Sequence, residues 1–134
     1  MHKKFKLLII ITALLGANAV ILGAFGSHYL EARLEPKSLR AFKTAVSYQY
    51  IHTLALFCTA LLYRIYRIKG LFYIGLFFLG GIALFSGSIY MLSLQSLFGI
   101  ALPKAFGLLT PLGGLALLGS WMAIFFTVIR IKTE

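Results

Sequence analysis

Four stretches of this sequence are long and apolar enough to cross a lipid bilayer, and they constrain the fold more than any other feature. They cover about residues 7–25, 45–63, 71–97 and 105–129. Because about 20 consecutive apolar residues suffice to span the hydrocarbon core, a chain of 134 residues has only short links left over. The sequence therefore predicts an all-α polytopic membrane protein, a four-helix bundle forming one domain over residues 1–134.

Composition and charge agree with a lipid environment. The chain is 60% hydrophobic and only 12% charged, which lies outside the usual range of soluble domains. A net charge of +10 could indicate nucleic-acid binding, but the basic residues lie at the ends of the apolar runs, where they report topology. We therefore predict a lipid bilayer, and no nucleic acid, as the partner.

The N-terminus resembles a secretory signal, with a basic start, an apolar stretch and the small residues Ala17, Asn18 and Ala19. The apolar run continues as far as Phe25, however, which is long enough to span. We predict a retained first helix, with cleavage after Ala19 as the alternative.

A polar link separates the first two runs. Pro36 suits the first position of a helix, and apolar residues then recur on one face while Lys37, Arg40 and Lys43 occupy another. This pattern predicts a short amphipathic surface helix over about residues 36–44. Its basic face either contacts lipid headgroups or a partner, or is a solvated face that caps the bundle.

The distribution of lysine and arginine predicts the orientation. With the N-terminus inside, eight basic residues lie on the cytoplasmic side and five on the other. The eight are Lys3, Lys4, Lys6, Arg64, Arg67, Lys69, Arg130 and Lys132. This bias predicts that both termini are cytoplasmic.

Small residues predict the contacts between helices, because in lipid close backbone approach replaces the hydrophobic effect. Three runs carry them at spacings of three and four: Gly16, Ala19, Gly23 and Gly26; Gly80, Ala83 and Gly87; Gly113, Ala116, Ser120 and Ala123. Pro111, inside the fourth run, predicts a kink or a local repair of hydrogen bonding. Asn18 lies about 200° around the first helix from Gly16, and since an amide in hydrocarbon needs a partner, it motivates the hypothesis of a homo-oligomer contact.

Polar residues are predicted to share one level in the outer half of the bundle. An ionisable residue in a span, here His52, is expected to face protein or a water-filled cavity. The candidate cluster is His28, Gln49, His52, Ser86, Ser88, Tyr90 and Thr110. Either His52 is neutral, bonds to Ser86, Ser88, Tyr90 or a backbone carbonyl and fixes helix register, or the cluster lines a cavity open to the outer side for a small ligand, a proton or a metal.

Several chemistries lack the residues that they need. The single cysteine, Cys58, cannot form an internal disulfide, and no intramembrane carboxylate completes a metal site with His28 and His52. We find no acid pair, no nucleophile joined to a base and no phosphate-cradling loop. The sequence thus predicts no metal, no cofactor and no enzymatic activity.

Four ordered motifs resemble one known family. They are residues 23–28 (GAFGSH), 48–55 (YQYIHTLA), 85–90 (FSGSIY), and 110–114 (TPLGG) followed by Gly119, Ser120 and Trp121. Together they resemble the domain-of-unknown-function family 423, small bacterial membrane proteins of the YwdK and YgdD type with a eukaryotic relative, transmembrane protein 256. Ser120 departs from the pattern, where a second glycine is usual.

The resemblance implies a four-helix protein of the bacterial cytoplasmic (inner) membrane and carries over no activity. We predict a non-enzymatic interaction or assembly component, with a homo-oligomer or another membrane protein as partner. The alternative is a transport or binding protein for a small molecule, a proton or an ion that uses the polar cluster.

Overall fold

A computed structural model describes residues 3–131 and contains four long helices. They are α1 (Lys3–His28), α2 (Pro36–Tyr66), α3 (Lys69–Leu94) and α4 (Leu109–Ile129), and a 3₁₀ helix (Lys104–Leu108) leads into α4. No strand occurs within this range. Each long helix is apolar enough to span a membrane, so the predicted all-α architecture with four spans is confirmed. Lys132, one of the eight basic residues predicted to be cytoplasmic, lies outside the described range.

The helices pack in chain order, with α2 between α1 and α3, and α3 between α2 and α4. In the apolar stretch of α2, 50% of the residues are buried, and in that of α3 44%, against 17% in α1 and α4. The central α2 also has the lowest mean hydropathy, 1.3, against 2.4 for α1 and 2.0 for α4. Since polar groups are tolerated where protein surrounds them, the position of each helix agrees with its hydropathy.

The predicted surface helix is not a separate element. Residues 36–44 are helical, and Pro36 stands in the first turn as expected, but they continue into a single helix of 31 residues. Neither glycine nor proline follows Pro36 within α2, so nothing in the sequence interrupts the helix. Phe42 is fully buried in an apolar cluster with Leu30, Leu34 and Val46, which holds this segment against the bundle.

The glycines of α1 face α2 as predicted. A Cβ added to Gly26 would stand 3.0 Å from the Phe42 ring, and one on Gly23 would stand 3.5 Å from Val46. The missing side chains therefore allow the two helices to approach closely.

The small-residue face predicted for α3 is wrong. A Cβ on Gly80 or Gly87 would meet nothing within 4 Å, whereas one on Gly81 would stand 2.6 Å from a side-chain carbon of Leu117 in α4. Gly80 and Gly81 are adjacent, so the sequence offers two glycine faces about 100° apart. The helix uses Gly81 because that face is turned toward α4.

Of the kink or local repair predicted at Pro111, the structure shows a local change of helix type, from the 3₁₀ segment to α4. The α-helix begins at Leu109, so Pro111 falls in the first turn, where backbone N–H groups have no partner within the helix. In a continuous α-helix, Pro111 would leave the carbonyl of residue 107 without a donor, because proline has no N–H. Residue 107 belongs instead to the 3₁₀ segment. No helical hydrogen bond is lost to the proline.

Candidate functional site

Gln49 joins three helices through its side-chain amide. Its Nε2 donates to the carbonyl of Leu15 at 2.9 Å and to Oδ1 of Asn18 at 3.0 Å, both in α1. Its Oε1 accepts from the Tyr90 hydroxyl of α3 at 2.8 Å. The residue is only 2% exposed, and both amide hydrogens are used. Gln49 therefore connects α1, α2 and α3.

Two serines of α3 make the other polar contacts between helices. Ser86 Oγ donates to the Ala45 carbonyl of α2 at 2.8 Å. Ser88 Oγ donates to its own helix at Phe85 and lies 2.6 Å from Thr110 Oγ1 of α4. Because the single Ser88 proton is used toward Phe85, Thr110 is the donor of the second bond. These serines connect α3 to both of its neighbours.

His52 lies apart from these bonds in an aromatic surrounding. It is 7% exposed, and its Nδ1 is 2.7 Å from the Tyr48 carbonyl one turn earlier. Since a carbonyl only accepts, Nδ1 carries a proton. The ring centroid lies 5.5 Å from Tyr48, 6.1 Å from Phe78 and 6.3 Å from Trp121.

The depth of His52 differs from the prediction. The sequence predicts it in the outer half of a span beginning at residue 45, but α2 begins at Pro36, which places His52 about midway along the helix. Its ring neighbours are Phe78 and Trp121, which also lie well away from the ends of α3 and α4. His52 therefore lies near the middle of the bundle and not in its outer half.

His28 and Asn18 also differ from expectation. His28 is the last residue of α1 and is exposed, so the structure does not bring it into the polar contacts described above. Asn18 was expected to point away from the other helices, but its Oδ1 accepts from Gln49. Its side chain lies at the edge of the α1–α2 contact and is still exposed.

Five cavities within residues 3–131 lie away from the centre of this cluster. None of these five is lined by Gln49, His52, Ser86 or Ser88. Tyr90 borders an apolar cavity of about 160 Å³, and Thr110 borders an outer groove together with Ser93. Within residues 3–131, no group of three His, Cys, Asp or Glu side chains could hold a metal.

Two buried hydroxyls have no hydrogen-bond partner within the described range, namely Thr53 Oγ1 in α2 and Ser93 Oγ in α3. Sequence reasoning did not single them out, because their isolation depends on how neighbouring helices are placed. It also treated Arg64, Arg67 and Lys69 only as markers of topology. In the structure these three residues line one pocket with Phe5 and Tyr63.

Comparisons with known proteins give a consistent result. A family profile described as protein of unknown function (DUF423) matches residues 22–114. The chain is 37% identical to the UPF0382 membrane protein YwdK of Bacillus subtilis, over 93% of this chain and 98% of that protein. It is 34% identical to the UPF0382 inner membrane protein YgdD of Escherichia coli K12, over 96% of this chain and 94% of that protein. No solved structure matches the chain.

Proposed function

The chain belongs to the DUF423 family of membrane proteins, and from this premise we propose that it acts as a non-enzymatic interaction or assembly component of the membrane. The proposal rests on the hydrogen bonds that its intramembrane polar groups make. Gln49, Ser86 and Ser88 all bond to other helices of the same chain. Such bonds fix helix register, and they leave these groups occupied.

The alternative of transport or ligand binding has less support. A binding site needs polar groups that converge on an open space, whereas His52 is surrounded by Tyr48, Phe78 and Trp121. An enzymatic role has equally little support, because none of the hydrogen bonds of the described residues joins a nucleophile to a histidine base. We therefore propose a protein without catalytic residues.

The sides of α1 and α4 that face away from the bundle are the surfaces available to a partner. Both helices are largely unburied, and α1 carries the exposed amide of Asn18. Its Oδ1 accepts from Gln49, which leaves the two amide hydrogens of Asn18 to be satisfied. A second copy of the chain would provide acceptors in a region where lipid provides none. We propose this face as the homo-oligomer contact.

We also propose that the protein lies in the bacterial cytoplasmic membrane with both termini inside. The support is the inner-membrane name of its Escherichia coli relative and the grouping of basic residues at the end that holds the N-terminus of α1.

The test is the mass of the protein in nanodiscs cut directly from the membrane with its native lipid. We expect wild type to be larger than one chain, and Asn18→Leu to fall to one chain. Val20→Leu, at an exposed position two residues further along α1, is the matched control and should behave as wild type. A wild-type mass of a single chain would contradict the assembly role. If both variants changed the mass equally, Asn18 would not be a specific part of the contact.

A further inference from the structure

The inner end of the bundle contains a pocket with three cationic residues on its walls. Arg64, Arg67 and Lys69 line it together with Phe5 and Tyr63, and its volume is about 240 Å³. The walls come from the start of α1, the end of α2 and the start of α3. Guanidinium groups bind phosphate oxygens through paired hydrogen bonds, so the wall residues have the chemistry of an anion site.

The described part of the chain supplies no carboxylate to neutralise this end. Its two acidic residues, Glu31 and Glu35, lie between α1 and α2 at the opposite end of the bundle. The one ion pair among residues 3–131, Lys43 with Glu31 at 3.5 Å, lies there as well. Near the pocket, Lys4 stands 4.8 Å above the Phe72 ring, which adds a further positive charge. The described charges at this end are therefore suited to an external anion.

Arg67 occupies a backbone position that ordinarily favours glycine. It ends α2 with φ of 55° and ψ of 24°, and its N–H donates to the Tyr63 carbonyl at 3.0 Å. Left-handed helix caps of this kind are usually glycine, because a Cβ is disfavoured there. An arginine at this position places a guanidinium beside the pocket at the expense of a less favourable backbone conformation.

The start of α3 also favours an anion at this pocket. Lys69 is its first residue, and the N-cap, Ile68, makes no side-chain hydrogen bond. The first N–H groups of a helix have no partner within it and carry the positive end of its dipole. Phosphate groups are commonly bound at such positions.

We propose that this pocket binds the phosphodiester headgroup of an anionic phospholipid. A lipid is favoured over a soluble phosphate because Phe5 and Tyr63 form part of the wall. Tyrosine is enriched at headgroup level in membrane proteins, and basic pockets between transmembrane helices are suited to anionic headgroups. The acyl chains would lie along the exposed faces of α1 and α2. This inference is independent of the assembly role.

The same three residues also count toward membrane topology, and the test must separate the two roles. The topological effect depends on how many cations lie near the ends of the spans, so any three at this end are equivalent. Binding depends on cations that share one pocket. A charge-matched control therefore distinguishes them.

The experiment measures lipid retained by the purified full chain, using native mass spectrometry from mild detergent. The probes are phosphatidylglycerol, phosphatidylcholine and inorganic phosphate. The pocket variant is Arg64→Gln, Arg67→Gln and Lys69→Gln combined. The control, Lys3→Gln, Lys6→Gln and Arg130→Gln combined, removes the same charge from the same end. A second variant, Arg67→Gly, suits the left-handed backbone and keeps the test valid if the triple variant does not fold.

We expect wild type and control to retain phosphatidylglycerol over phosphatidylcholine, and Arg67→Gly to weaken retention about fivefold, as for one charge-assisted contact. The triple variant should lose the preference. If the pocket and control variants lost phosphatidylglycerol equally, the lipid would be attracted by the overall charge of this end and not bound in the pocket, and the proposal would be overturned. Equal retention of both lipids, or displacement of phosphatidylglycerol by millimolar inorganic phosphate, would overturn it too.

Discussion

At the residue scale, three hydrogen bonds converge on the amide of Gln49 and come from α1 and α3. A buried polar group inside a membrane cannot exchange a lost partner for water. The bonds of Gln49 therefore fix which face α2 presents to each neighbour. His52, which bonds within its own helix, has a more local role.

Gln49→Leu should lower the free energy of unfolding by about 1–3 kcal/mol, because it leaves the Tyr90 hydroxyl without its acceptor. The measurement is reversible unfolding in mixed micelles. Thr59→Val is the control, since the Thr59 hydroxyl bonds only to the Ala55 carbonyl of the same helix. A loss no greater than that of Thr59→Val would show that the contacts between helices contribute little.

His52 should carry a proton on Nδ1, because that atom faces the Tyr48 carbonyl at 2.7 Å. Nitrogen-15 NMR of ring-labelled histidine in lipid measures the tautomer directly, and His52→Phe assigns the signal. Phenylalanine suits the control because the surrounding side chains are aromatic. An unprotonated Nδ1 would contradict the hydrogen bond.

At the scale of helices, α3 and α4 approach each other closely at Gly113. A Cβ on Gly113 would collide with the backbone of Phe85 and stand 2.8 Å from the Leu84 carbonyl carbon. Backbone atoms cannot turn aside as a flexible side chain can. The separation of these two helices is consequently set by the absence of a side chain at Gly113.

Gly113→Ala should destabilise the protein by about 1–3 kcal/mol, because α4 must move away from α3 to make room. Gly119→Ala is the matched control in the same helix, since a Cβ there meets nothing within 4 Å. Its higher helix propensity should leave stability unchanged or raise it by up to about 1 kcal/mol. Unfolding of both variants in the same micelles checks the difference, and equal effects would contradict the close approach.

At the scale of the whole molecule, charge and hydropathy are both unevenly distributed. The least apolar helix, α2, is one of the two central helices and the most apolar one, α1, is on the flank. The two described acidic residues lie at one end, and seven basic residues at the other: Lys3, Lys4, Lys6, Arg64, Arg67, Lys69 and Arg130. The first pattern determines which helices face lipid, and the second favours one orientation.

This asymmetry predicts that the link between α1 and α2 faces the outside. In a Cys58→Ala background, a membrane-impermeant maleimide should label Glu31→Cys in intact bacterial cells. It should label Arg130→Cys only after permeabilisation, which also serves as the control for reactivity. The reverse labelling pattern would show that both termini are outside.

Much of the fold could be predicted from the sequence, because the bilayer allows few solutions. A run such as residues 7–25 must satisfy its backbone internally, and a helix does so without help from other segments. The glycine face of α1 could be predicted too, since a single set of small residues recurs there. Helix boundaries were less predictable: α2 extends to Pro36 because no residue interrupts it.

What only the tertiary structure decided is which of several equivalent faces each helix uses. Gly80 and Gly81 are alike in sequence, and only the packing of Leu117 from α4 selects Gly81. In the candidate site, the sequence by itself identified Gln49, Ser86 and Ser88 as polar groups that need partners. It could not pair them, or separate His52 from them, because a hydrogen bond between helices depends on rotations and depths that no local pattern encodes.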